Sequence, residues 1–136
     1  MGRILAFDFG LRRVGVAVTD PLQLIANSLD TVPTTGIYDF VKAYCTKEQV
    51  EAFVVGYPYN HGGAENDIVP HIEAFIKKLE SQYPDKKIHK VDERFTSKIA
   101  AQTLLLSGVN KKERQKKGNV DAIAANLILQ SFLEMR

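Results

Sequence analysis

Apolar residues dominate both faces of the segment Arg3–Gly10. Ile4 and Ala6 share one face with Asp8, while Leu5, Phe7 and Phe9 take the other. A strand that is apolar on both faces belongs in the middle of a sheet, and Asp8 is its polar exception, near the carboxyl end. The turn Gly10–Arg13 leads into a second strand, Arg13–Asp20, in which Val14, Val16 and Val18 oppose Gly15 and Ala17. So short a link makes the pair an antiparallel hairpin. Asp20-Pro21 marks the next turn, and Ile25–Val32 supplies a third strand.

Helical spacing then takes over. Gly36–Glu48 sets Ile37, Phe40, Val41 and Tyr44 along one side. Ala52–Gly56 is short and wholly apolar, as a buried parallel strand is. Tyr57–Gly63 is a loop by its Pro, Asn and Gly content. Ile68, Ile72, Phe75, Ile76 and Leu79 form the apolar stripe of an amphipathic helix over Ile68–Leu79. Ile88–Asp92 is a fifth strand, and Thr96–Ser107 a helix capped by Thr96 and stopped by Gly108. A basic loop follows, then a final helix from about Val120 to Met135 with Asn119 as its cap.

This order predicts an α/β protein. Its mixed sheet has five strands, three antiparallel and then two parallel to the first, flanked by helices. The 136 residues suit one domain spanning 1–136.

Composition adds little until the distribution is considered. Net charge is only +2, yet Lys111, Lys112, Arg114, Lys116 and Lys117 crowd one short segment against the single acid Glu113. The lone cysteine, Cys45, precludes an intrachain disulfide and is expected to be a small apolar filler near a helix end. The opening residues do not form a signal peptide, and no apolar run spans a bilayer. A cytoplasmic protein with no membrane partner is expected.

Ligands of open α/β sheets bind beyond the carboxyl ends of parallel strands. Asp8 ends the first strand, and Asp92 and Glu93 end the fifth. Asp121 opens the last helix, on a stripe shared with Ala125, Ile128 and Phe132. A carboxylate on a buried strand requires a cation or several donors. Three converging carboxylates suit Mg2+ or Mn2+, and two such ions can activate water against a phosphodiester. His61, His71 and His89 lack the paired spacing of zinc ligands.

Four ordered segments carry a family resemblance. They are Asp8-Phe9-Gly10 with Val14-Gly15-Val16-Ala17; Val54-Val55-Gly56 leading to Pro58; Asp92-Glu93-Arg94 with Thr96; and Lys117-Gly118-Asn119-Val120-Asp121 leading into the final helix. Together, over essentially the whole chain, they resemble the YqgF family of pre-16S rRNA nucleases. These are also called Holliday junction resolvase-like proteins, within the RNase H-like superfamily. The resemblance implies an RNase H-like fold and a metal-dependent endonuclease that trims the 5′ end of pre-16S rRNA. It assigns Asp8, Glu93 and Asp121 as catalytic and metal-holding residues, with Asp92 in reserve as a ligand or a partner for Arg94. The chain departs from the family at Tyr57, where Leu is common, and at Asn60-His61-Gly62-Gly63, which lacks the usual acid.

Substrate contacts are expected from Arg12, Arg13, Arg94 and the cluster Lys111, Lys112, Arg114, Lys116 and Lys117. Tyr57 and Tyr59 are candidates for stacking on bases, against a plainer role packing on their own scaffold. Precursor rRNA is the favoured partner and branched DNA the alternative; a noncatalytic RNA-binding module of the same fold is a third reading.

Overall fold

The computed structural model describes residues 2–58, 67–92 and 117–136, the side chains of 117–121 excepted. Its strands are β1 (Arg3–Phe9), β2 (Arg13–Thr19), β3 (Ala26–Pro33), β4 (Val50–Tyr57) and β5 (Lys87–Asp92). Its helices are α1 (Ile37–Lys47), α2 (Val69–Gln82) and α3 (Lys117–Met135). The five strands lie in the order β3-β2-β1-β4-β5. β1 pairs antiparallel with β2, and β2 with β3, while β4 runs parallel to both β1 and β5. The doubly apolar β1 is therefore the central strand, as its pattern requires.

Alternation along the strands builds two cores. Leu5, Phe7, Val14, Val16, Phe53 and Val55 pack against Ile37 and Val41 of α1 and against Ile72, Phe75, Ile76 and Leu79 of α2. On the opposite face Ile4, Ala6, Ala17, Ala52, Val54 and Val91 meet Ala125, Ile128 and Leu129 of α3. Small sheet residues on that second face let α3 approach closely. Each large side chain so buried contributes about 1.5–3 kcal/mol relative to exposure.

A register shift in the β2–β3 pair pairs Val16 with Asp30 but Ala17 with Ser28, leaving Leu29 as an extra residue. Such a bulge reverses which face the following residues occupy. Val32 thereby joins the α1/α2 core although Ala26 packs on the α3 side.

Several element ends differ from the expected ones. β4 extends through Tyr57, because Tyr57 pairs with Asp92 and packs on the α1/α2 core. The final helix begins at Lys117, so Asn119 lies inside it and is not its cap. Gly118 and Asn119 are poor formers of helix interior, which hid the earlier start; docking along the rest of the helix outweighs their cost. Thr96–Ser107 lies outside the described residues.

Candidate active site at the carboxyl edge of the sheet

Asp8 is the penultimate residue of β1 and is half-buried. By alternation it shares the face of Ile4 and Ala6, the face that α3 covers. Its partner across the β1–β2 pair is Gly15. On the other side Phe7 is level with Val55, so one further step sets Gly56 level with Asp8. Gly56 is in turn paired with Val91 of β5, and Gly15 with Thr31 of β3. A single row thus reads Thr31, Gly15, Asp8, Gly56, Val91. Neither strand beside β1 presents a side chain at the level of the carboxylate.

The direction of α3 follows from its two ends. Arg136, just past its last residue, binds Gln23, whose side chain reaches the Gly2 carbonyl at the amino edge of β1. Near its start, the Ala122 carbonyl accepts from Ser28 Oγ at 3.2 Å, and Ser28 lies level with Ala17 and so with Ala6. The helix therefore points its amino end toward the carboxyl edge of β1. Asp121, adjacent to Ala122, belongs to the helix that covers the face of the sheet to which Asp8 alternates. It is the fifth residue of the helix. That position is beyond the first turn, where the macrodipole favours an acid. It stands one turn before Ala125, which is fully buried against the sheet.

Glu93 and Arg94 lie outside the described residues, as do Lys111, Lys112, Arg114 and Lys116. Lys117 is the first residue of α3. Among the described residues no three His, Cys, Asp or Glu side chains gather as metal ligands, a set from which two of the three expected acids are missing.

Asp92 closes β5 opposite Tyr57. His89 and Val91 face α3, with the His89 ring 4.7 Å from Phe132. Alternation then turns Asp92, the last residue of β5, to the face of Tyr57, with which it pairs. Tyr57 packs on its scaffold, as the plainer expectation had it. The Lys90 ammonium lies 4.6 Å from its ring centre and 3.1 Å from Glu73. Hydrogen bonds from Tyr57 and Lys90 hold the Glu73 carboxyl below its ordinary value. Tyr59 and His61 lie outside the described residues. Cys45 is half-buried on α1 against the core, and burial pushes its thiol up, an inert setting that fits a filler.

Arg12 and Arg13 sit on the β1–β2 turn beside Asp8, Arg12 exposed and Arg13 half-buried. With Phe9, Gly10, Leu11 and Ile68 they line a cleft of about 460 Å3 that Asp8 also borders. Sequence reasoning alone names neither this cleft nor Gly15 and Gly56, the glycines level with Asp8. The glycines were legible in principle, since each is the one position lacking a side chain on a strand that must flank Asp8.

Such a sheet, with an acid near the carboxyl end of its central strand and a helix crossing the same face, has an RNase H-like fold. T. thermophilus RuvC in complex with a Holliday junction substrate superposes with a TM-score of 0.63 at 17% identity, covering 99% of this chain and 96% of that one. A second Thermus thermophilus RuvC structure gives 0.56 at 16% identity, covering 98% and 96%.

Within that class the particular family is plain. The family model described as "RuvX: Holliday junction resolvase" matches residues 2–135, and the chain belongs to that family. A relative from Amoebophilus asiaticus named "Putative pre-16S rRNA nuclease" is 50% identical over 133 residues, covering 98% of this chain and 94% of its own. Relatives of the same name from Phocaeicola vulgatus and Flavobacterium johnsoniae are 48% and 46% identical over 136 residues, covering all of this chain and 98% and 99% of their own.

Proposed function

We propose that this protein is a metal-dependent endonuclease that hydrolyses phosphodiester bonds in the 5′-end processing of pre-16S rRNA, in the cytoplasm. Nuclease activity and the rRNA substrate are supported by full-length relatives carrying that name at 44–50% identity. Among the described residues no helix is long and apolar enough to cross a membrane.

The observation that carries the metal-dependent reading is the row around Asp8. Asp8 is a half-buried carboxylate near the carboxyl end of the central strand, and the residues level with it on both neighbouring strands, Gly15 and Gly56, carry no side chain that would compete for a cation or a phosphate. Hard oxygen donors of this kind fit Mg2+ or Mn2+. Asp8 would hold the ion with Asp121, from the helix on the same face, and Glu93, which in sequence continues the parity of His89 and Val91. Bound there, divalent ions supply activation of water and neutralisation of the leaving oxygen. The chain's own part is to orient and to bind. Asp8 fixes the position of the reacting phosphate, and Arg12 and Arg13 draw neighbouring phosphates to the rim. Lys111, Lys112, Arg114, Lys116, Lys117 and Arg94 extend the same cationic attraction along the substrate.

Purified protein incubated with precursor rRNA fragments in Mg2+ or Mn2+ should cleave them, and Asp8→Asn should remain folded and inactive. Cleavage undiminished in that variant would reject the catalytic assignment. The family description favours one second reading, a junction-resolving DNA endonuclease. Four-way DNA in a parallel reaction decides between the two.

A further inference from the structure

The tip of the β1–β2 hairpin is more rigid and more apolar than a solvated turn needs to be. A Cβ on Gly10 would stand 2.6 Å from the Arg13 carbonyl oxygen, so the close turn admits only glycine. Thr34 pins the turn from β3's far end: its Oγ1 donates to the Gly10 carbonyl at 2.7 Å, and its N–H to the Arg12 carbonyl at 3.0 Å. This fixed tip holds Leu11 with 60% of its surface in water.

One exposed leucine is ordinary. Its company is not. Leu11 shares the cleft beside Asp8 with the half-buried side chains of Phe9 and Ile68, and with Arg12 and Arg13. Phe9 is in turn backed by Phe75, ring centres 5.0 Å apart. The cleft therefore joins an apolar wall to two guanidiniums, with Asp8 on its border. At about 460 Å3 it is a shallow cleft open to solvent. A nucleobase has the matching chemistry: flat apolar faces, polar edges, and a phosphate one bond system away. Apolar side chains and guanidinium planes are what unstacked bases lie against. A paired base stays in its stack, and an unpaired one is free to leave it.

We propose that the cleft of Phe9, Leu11, Arg12, Arg13 and Ile68 receives an unpaired nucleobase next to the phosphodiester held at Asp8, so that the substrate is single-stranded where it is cut. This rests on the nuclease reading above and adds the substrate class.

The test separates binding from cleavage. Asp8→Asn protein in Mg2+ is titrated with a short RNA carrying 2-aminopurine, either single-stranded or annealed to its complement. Anisotropy gives affinity, and 2-aminopurine emission reports the base's surroundings. The single strand should bind at least about tenfold tighter than the duplex and change its emission on binding. Adding Leu11→Ser should weaken single-strand binding by about tenfold and abolish the emission change, whereas Leu11→Phe should retain both. Equal affinity for the two forms, absence of binding, or indifference to Leu11→Ser overturns the proposal. Circular dichroism confirms that the Leu11 variants fold. Base-dependent binding by a chain whose unmutated form never cleaves would instead strike the nuclease reading alone.

Discussion

Gly15 stands directly opposite Asp8 across the β1–β2 ladder, and both belong to the face that α3 covers. Cβ atoms of opposed strand residues lie about 4.5–5.5 Å apart, so any side chain at 15 would occupy the space beside the carboxylate. Gly15→Val should lower single-turnover cleavage by at least about 100-fold, the scale expected when reacting groups are displaced by an ångström. Gly15→Ala should show a smaller loss. The urea midpoint should move far less than activity, since valine suits a strand better than glycine does. Activity retained within a few fold in Gly15→Val would mean that the row beside Asp8 is not used.

The parts of this molecule set by local pattern were legible in the sequence. Double-sided apolarity marks β1 as central, and the three-and-four spacing of Ile72, Phe75, Ile76 and Leu79 marks α2. What stayed hidden depends on contacts between distant segments. Leu29's bulge answers to the needs of Val32 and Ser28 on opposite faces, which no local rule contains. The early start of α3 runs against the propensities of Gly118 and Asn119. Asp8 was legible as a site residue because a carboxylate contradicts its strand. Gly15 was not, because a glycine contradicts nothing until its partner across the ladder is known.

Asp20 organises the turn between β2 and β3. Its carboxylate accepts from the backbone N–H groups of Leu22 at 3.1 Å and of Leu24 and Ile25 at 2.8 Å each. The Ile25 N–H leads the causes that hold this carboxyl below its ordinary value. A carboxyl depressed in the folded state adds stability above its unfolded pKa of about 3.9, and that contribution fades as pH falls through the lower folded value. Asp20→Ala should therefore be less stable than the parent at pH 7, with the gap closing below about pH 4. Urea midpoints across that range measure it. A gap independent of pH would assign the difference to chain conformation and not to the charge.

Phe75 is fully buried and braces the hairpin that carries the site. Its ring meets Phe7 edge-on at 5.3 Å, Phe9 at 5.0 Å and Tyr38 at 5.8 Å. Phe75→Ala should cost about 3–5 kcal/mol, the usual scale for an emptied aromatic site. Phe75→Leu should cost less and leave a folded protein whose KM has risen, because Phe9 loses its backing while Asp8 keeps its place. Denaturation curves and steady-state cleavage by the leucine variant check the two parts separately.

Gln23 ties together three chain segments at the edge opposite the site. Its amide Nε2 donates to the Gly2 carbonyl at 2.8 Å and to Glu51 Oε2 at 2.6 Å. Arg136 donates to its Oε1 at 2.5 Å and to its backbone carbonyl at 2.6 Å. It does so at φ 61°, the left-handed region that a residue with a Cβ enters at a cost of about 1–2 kcal/mol. The clamp's bonds outweigh that strain. Gln23→Ala keeps the strain and loses the side-chain bonds, so it should destabilise by about 1–3 kcal/mol. A glycine at this position would lose the same bonds but adopt the backbone angle without strain, so Gln23→Gly should be about 1 kcal/mol more stable than Gln23→Ala. Both should cleave at the parental rate below their melting range, since the clamp lies at the amino edge of β1 and Asp8 near its carboxyl end. If alanine proved as stable as glycine, the backbone at this position would have relaxed out of the left-handed region, and the hydrogen bonds of Arg136 would then be what holds it there.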